Sequence, residues 1–154
     1  MSNEKIYFLT HDFISKLQAL DENTKPQWGV MNVQQMIEHM SDSLRIANGK
    51  NPHTLITPAE KVQSMKDFLA SDKEFRPNTK NILMEDTPPD LRLKDKTTAI
   101  QELENEIKYF VAHFEEHPGT TVTNPFFGHL TFQEWIQLLH KHAKHHLKQF
   151  GVEV

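Results

Sequence analysis

The sequence predicts an all-α fold, an antiparallel four-helix bundle with one extra short helix, formed by a single domain over residues 1–154. Three observations lead there. Apolar residues recur at offsets of three and four along four long stretches, the spacing of a buried helix face. Three of those stretches open on N-capping residues, and all four end at or before a glycine or proline. No stretch shows the strict apolar/polar alternation of a half-buried strand.

The first helix is expected from about residue 5 to 21, where Ile6, Phe8, Leu9, Phe13, Ile14, Leu17 and Leu20 keep near-helical spacing ahead of Lys25-Pro26. Asn32 is the N-cap residue of a second helix whose stripe is Val33, Met36, Ile37, Met40, Leu44 and Ala47, ending at Asn48-Gly49. Thr57-Pro58-Ala59-Glu60 reads as a cap hydroxyl, a proline at the first helical position and a glutamate reaching back, so a short helix to about Leu69 follows. Residues 72–96 hold three of the eight prolines and have no apolar period, which predicts a long connection able to line the mouth of a site. Thr98 to Gln101 forms a capping box before Ile100, Leu103, Ile107, Phe110, Val111 and Phe114, and Pro118-Gly119 stops that helix. Asn124-Pro125-Phe126-Phe127-Gly128 is a turn. Thr131 to Glu134 then opens a last helix from about Phe132 to Phe150, with Gly151 as its stop.

Composition narrows the chemistry. The chain has no cysteine, so a metal here must be held by His, Asp or Glu, and disulfides and a thiolate nucleophile are excluded. The formal net charge of -4 argues against a nucleic-acid partner. No apolar run reaches the length of a membrane span and no leader pattern opens the chain, so the expectation is a soluble cytoplasmic protein without a membrane partner. Phosphate-cradling loops, dinucleotide fingerprints and Ser-His-Asp arrangements are missing, and the five glycines are too scattered to supply such loops.

The histidines carry the remaining signal. LLHKHAKHHLKQFG, residues 138–151, holds His140, His142, His145 and His146. At about 100° per residue, His142 and His146 fall in the same sector as Phe132, Trp135, Leu139, Ala143 and Phe150. Lys141, Lys144 and Lys148 fall opposite, as a solvated basic stripe, and His140 and His145 lie on the flanks. An i, i+4 pair puts two imidazoles on successive turns, about 6 Å apart, which suits one ion. His39 lies beside the apolar stripe of the second helix and comes within reach after a modest rotation. Spacing alone leaves two readings open, hydrogen-bonded boundary residues or a three-histidine site with open coordination positions. His113 and His117 repeat the spacing at the end of the third long helix. In an antiparallel arrangement they lie about 15–20 Å from His142 and His146, so they are expected to be structural. Trp28 and Trp135 are expected to pack, and Glu38 and Asp42 to face outward.

Two motifs add a resemblance. Asn32-Val33-Gln34-Gln35-Met36-Ile37-Glu38-His39-Met40 and His142-Ala143-Lys144-His145-His146 resemble the DinB/YfiT-like superfamily of small four-helix metalloenzyme-type proteins. Trp28-Gly29, the Asn124 to Gly128 turn, Trp135 and Gln149-Phe150-Gly151 look like a branch of it, whereas residues 50–96 diverge. The resemblance implies an up-down-down-up bundle in which a long connection precedes the third helix. It also implies that His39, His142 and His146 bind a divalent metal, Zn or Ni.

The function expected from this is that of a metal-dependent enzyme acting on a small-molecule substrate. Its open three-histidine site would activate water or a low-molecular-weight thiol, in a hydrolase or thiol S-transferase reaction. His145 is the candidate acid/base or supporting group beside the ligands. The alternative class is a noncatalytic helical bundle that binds a partner or homodimerises without a functional metal site.

Overall fold

The computed structural model describes residues 2–77 and 87–154. Helix α1 spans Ser2–Tyr7 and α2 spans Phe13–Ala19, with a π-helical turn over Phe8–Asp12 between them. One continuous helix was expected here. The Thr10 hydroxyl donates to the Ile6 carbonyl (2.9 Å), the acceptor a regular turn would reserve for the Thr10 amide, and the turn widens. At the far end Lys96 Nζ donates to the Leu17, Gln18 and Leu20 carbonyls, a cation placed where the helix leaves acceptors unpaired.

Helix α3 spans Val33–Ala47 and opens on the expected Asn32 cap, completed by Gln35. Helix α4 spans Ala59–Ala70, and its cap differs from the expectation. Pro58 holds the cap position and the Thr57 side chain makes no cap bond, because the Ile56 and Thr57 amides are both drawn to the Pro125 carbonyl. Helix α5 spans Lys96–Glu116, and it starts earlier than the Thr98 box. Asp95 is the cap, its carboxylate accepting from the Thr98 amide at 2.8 Å. The connection before it has no long helix over 72–77 and 87–95; its centre, residues 78–86, lies outside the described residues.

The all-α expectation is corrected by a small antiparallel hairpin, β1 (Val122–Asn124) with β2 (Gly128–Leu130), in which Val122 faces Leu130. Three-residue strands are too short to display alternation. Asn124 Oδ1 accepts from the Phe126 and Phe127 amides and Gly128 adopts φ +89°, so the chain reverses within the predicted turn. A Cβ on Gly128 would stand 2.9 Å from Val62 of α4, which therefore lies against the hairpin. Helix α6, Phe132–Gln149, follows with the expected Thr131/Glu134 capping box.

The buried cluster draws Leu9, Phe13 and Leu17 from the N-terminal segment, Met36, Ile37 and Met40 from α3, Leu103 and Phe110 from α5, and Trp135, Leu139 and Leu147 from α6. Each such side chain contributes about 1.5–3 kcal/mol of transfer free energy. Contacts proceed from Gln34 with Leu93, just ahead of α5, through Arg45 with Glu102, to Asn48 with Glu106, so α3 and α5 run in the same direction. Glu38 is buried on α3 instead of facing outward, and accepts from the Arg92 and Leu93 amides and from Gln34 Nε2. It ties the end of the long connection one residue away from His39. Among the described residues no helix is long and apolar enough to cross a membrane.

Candidate metal centre

Helix α6 turns His142 and His146 to one side and α3 brings His39 against them. His39 Nε2 lies 3.0 Å from His142 Nε2, and His146 Nε2 lies 2.9 Å from the same atom. Ring centroids are 4.9 Å apart for His39 and His142, 5.0 Å for His39 and His146, and 4.6 Å for His142 and His146. One nitrogen from each of the three falls within 4.8 Å of the others, the single such group of His, Asp and Glu among the described residues. His146 is buried, and His39 and His142 are partly accessible, so the cluster sits at the rim of the core.

Burial holds these imidazoles neutral. It lowers the His39 pKa to about 4, helped by the nearby His145. His142 and His146 are pushed well below the usual histidine range, again chiefly by burial and then by the neighbouring histidines. The side chain of Gln149 fixes the tautomer of His146. Its amide nitrogen donates to the Trp28 carbonyl (2.9 Å), which leaves Oε1 facing His146 Nδ1 at 2.7 Å. Nδ1 must then carry the proton, and the lone pair sits on Nε2 among the other two rings.

That inventory tests the fit to a metal. With a lone pair on His146 Nε2, a single proton on His142 Nε2 cannot form full bonds along both of its short contacts. A cation facing three lone pairs removes the conflict. Two nitrogens about 2.1 Å from a tetrahedral ion lie about 3.4 Å apart, close to the spacing seen. The donor set of neutral imidazoles therefore fits a divalent ion.

A family model described as the DinB superfamily matches residues 8–150. The chain belongs to the DinB superfamily. No curated protein and no solved structure matches it. DinB-like proteins are often metal-binding, and in this DinB chain the three histidines can hold a metal ion.

The other named residues of this DinB chain fall elsewhere. His145 is half-buried and outside the three-histidine group, its ring 5.0 Å from His146, 5.4 Å from Trp28 and 6.0 Å from Phe75. Burial lowers its pKa, while a hydrogen bond to the Phe75 backbone and the charge of Glu74 act the other way. His113 and His117 lie against each other at the end of α5, their rings tilted by 34°, with His117 Nδ1 donating to the His113 carbonyl. Trp135 is buried and donates to the Val122 carbonyl, whereas Trp28 is partly exposed beside His145.

The basic stripe is not a uniformly solvated face. Lys141 is buried, with Nζ donating to the Ser71 (2.6 Å) and Lys73 (2.5 Å) carbonyls, and Lys148 pairs with Glu74. Both hold residues 71–75 across α6, which stands Phe75 6.2 Å from the His142 ring. In the sequence Gln149 stands out only within the closing Gln149-Phe150-Gly151 motif, with no role at the histidines, and Phe75 does not stand out. The role of the first was legible, three residues after His146 and so on the same face. The second comes from a strap with no period.

Proposed function

We propose that the protein is a metal-dependent enzyme whose His39, His142 and His146 hold a zinc or nickel ion through their Nε2 atoms. The convergence of those three nitrogens, with Gln149 fixing one lone pair, is the observation that carries the reading. When bound, such an ion lowers the pKa of a coordinated water or thiol and offsets negative charge developing on a substrate. Three neutral ligands leave its double charge intact and leave positions free for small molecules.

The protein residues do the rest. Phe75 covers the approach to His142 and limits water there. His145, oriented by the Phe75 backbone and set between Trp28 and Phe75, accepts or returns a proton at the edge of the site. The partner in this reading is a small molecule, including a low-molecular-weight thiol, rather than nucleic acid or a membrane. The reaction is hydrolysis or thiol transfer. The frame we propose is a single-domain, up-down-down-up four-helix bundle in a cytoplasmic protein; the same direction of α3 and α5 supports it.

Elemental analysis of the untagged protein, reconstituted with zinc and with nickel, tests the centre. About one ion per chain is expected, falling below about a tenth in a His39→Ala variant of unchanged helicity. A wild-type protein that retains neither ion would leave the noncatalytic or homodimerising helical bundle as the reading, its histidines joined only to one another.

A further inference from the structure

Beside the three histidines, on the far side of His145, lies a cleft of about 620 Å³. That volume is in the range of small-molecule sites, about 300–1,000 Å³. Its lining combines two features. Trp28 and Phe75 supply aromatic surface next to His145, and Lys73, Lys141, Lys144 and Lys148 bring positive charge.

The charges do not cancel. Lys148 is neutralised by Glu74. The ammonium of Lys141 is bonded to two backbone carbonyls, which satisfy two of its three donors without removing its charge. Lys73 and Lys144 form no ion pair among the described residues, and Glu153 is the remaining carboxylate side chain of the lining. A locally cationic cleft on a chain of net charge -4 is a selective feature, since the molecule as a whole repels anions. His145 connects the cleft to the histidine cluster, because its ring lines the one and lies 5.0 Å from His146 in the other.

We infer that this cleft is a substrate-binding site for a small organic carboxylate with an apolar body. The apolar part lies against Trp28 and Phe75, the carboxylate lies on Lys144 and Lys73, and the remaining end points past His145 toward the histidine cluster. The inference rests on the proposed metal centre for its use in a reaction. Binding itself needs no ion, so the two ideas fail separately.

The test uses the full chain stripped of metal and three probes of equal shape: 4-phenylbutyrate, 4-phenylbutan-1-ol and 4-phenylbutylamine. Tryptophan emission reports occupancy, since Trp28 lines the cleft while Trp135 is buried. The acid should bind about tenfold more tightly than the alcohol and amine, with a preference that weakens as salt rises. Lys73→Gln/Lys144→Gln should bring the acid down to the level of the alcohol. Equal binding of the three probes overturns the inference, and so does an acid preference that survives the double substitution. A separate zinc titration distinguishes the failures. Stoichiometric zinc with no probe discrimination defeats the cleft alone, and probe discrimination without zinc binding supports the cleft and defeats the metal centre.

Discussion

Two histidine pairs with identical spacing, His113/His117 on α5 and His142/His146 on α6, have different surroundings. Their ring separations are nearly the same, 4.9 and 4.6 Å. His117 spends its Nδ1 proton on the carbonyl of its own partner at a helix end, and among the described residues no histidine from another helix joins them within metal-ligating reach. His146 spends its Nδ1 proton on Gln149, which turns Nε2 toward His142, and α3 adds His39 from 103 positions away in the chain. Spacing along one helix thus supplies two rings on one side. A ligand set needs in addition a tautomer fixed from behind, a third donor from another element, and burial that keeps the rings neutral.

The largest effect expected separates the pairs directly. His142→Ala/His146→Ala should lose the stoichiometric ion, whereas His113→Ala/His117→Ala should keep about one per chain, read by elemental analysis after gel filtration. Equal retention in both double variants would dissolve the distinction drawn here.

A smaller effect isolates the group behind His146. Gln149→Leu keeps the volume and the helix but removes the acceptor of the Nδ1 proton, freeing the ring to place its proton on Nε2. Zinc affinity, measured by competition with a chromogenic chelator, should weaken about 10–100-fold. Unchanged affinity would mean that the orientation of His146 is set by packing alone.

How far this was readable from the chain follows from which contacts are local. The turn of His142 and His146 toward the core is a property of helical period, and the caps at Asn32 and Thr131 are pairs three residues apart; all are local and legible. Asp95 won the α5 cap from Thr98 because a carboxylate three residues back is the stronger acceptor, a competition that a capping-box pattern ignores. Lys141 was misread for a tertiary reason. The helical plot puts it opposite the core, but the Ser71 to Phe75 strap passes over that side and covers it. Glu38 is buried in the same way, by chain returning at Arg92 and Leu93. Aperiodic segments decide what covers a helix's second face, and they carry no sequence period from which to predict it.

The smallest effect is a dependence of stability on pH, and its sign follows from burial. In the unfolded chain His39 takes a proton near pH 6.5, whereas in the fold it resists until about 4. His142 and His146 are shifted in the same direction, and His140, half-covered by Phe8, is lowered to about 4. Between those limits the unfolded state binds more protons than the native state, so stability rises with pH. The contribution is fully present above about 6.5 and is lost progressively as the pH falls toward 4. Urea unfolding of the metal-free protein across this window should show that decline. His39→Gln should make it shallower by up to one proton, at most about 1.4 kcal/mol per pH unit. Zinc binds the unprotonated rings, so adding it should hold the native state to lower pH in the wild type and not in the variant. A variant as acid-sensitive as the wild type would show that His39 titrates in the fold as it does in the unfolded chain, so that burial does not hold its ring neutral across this window.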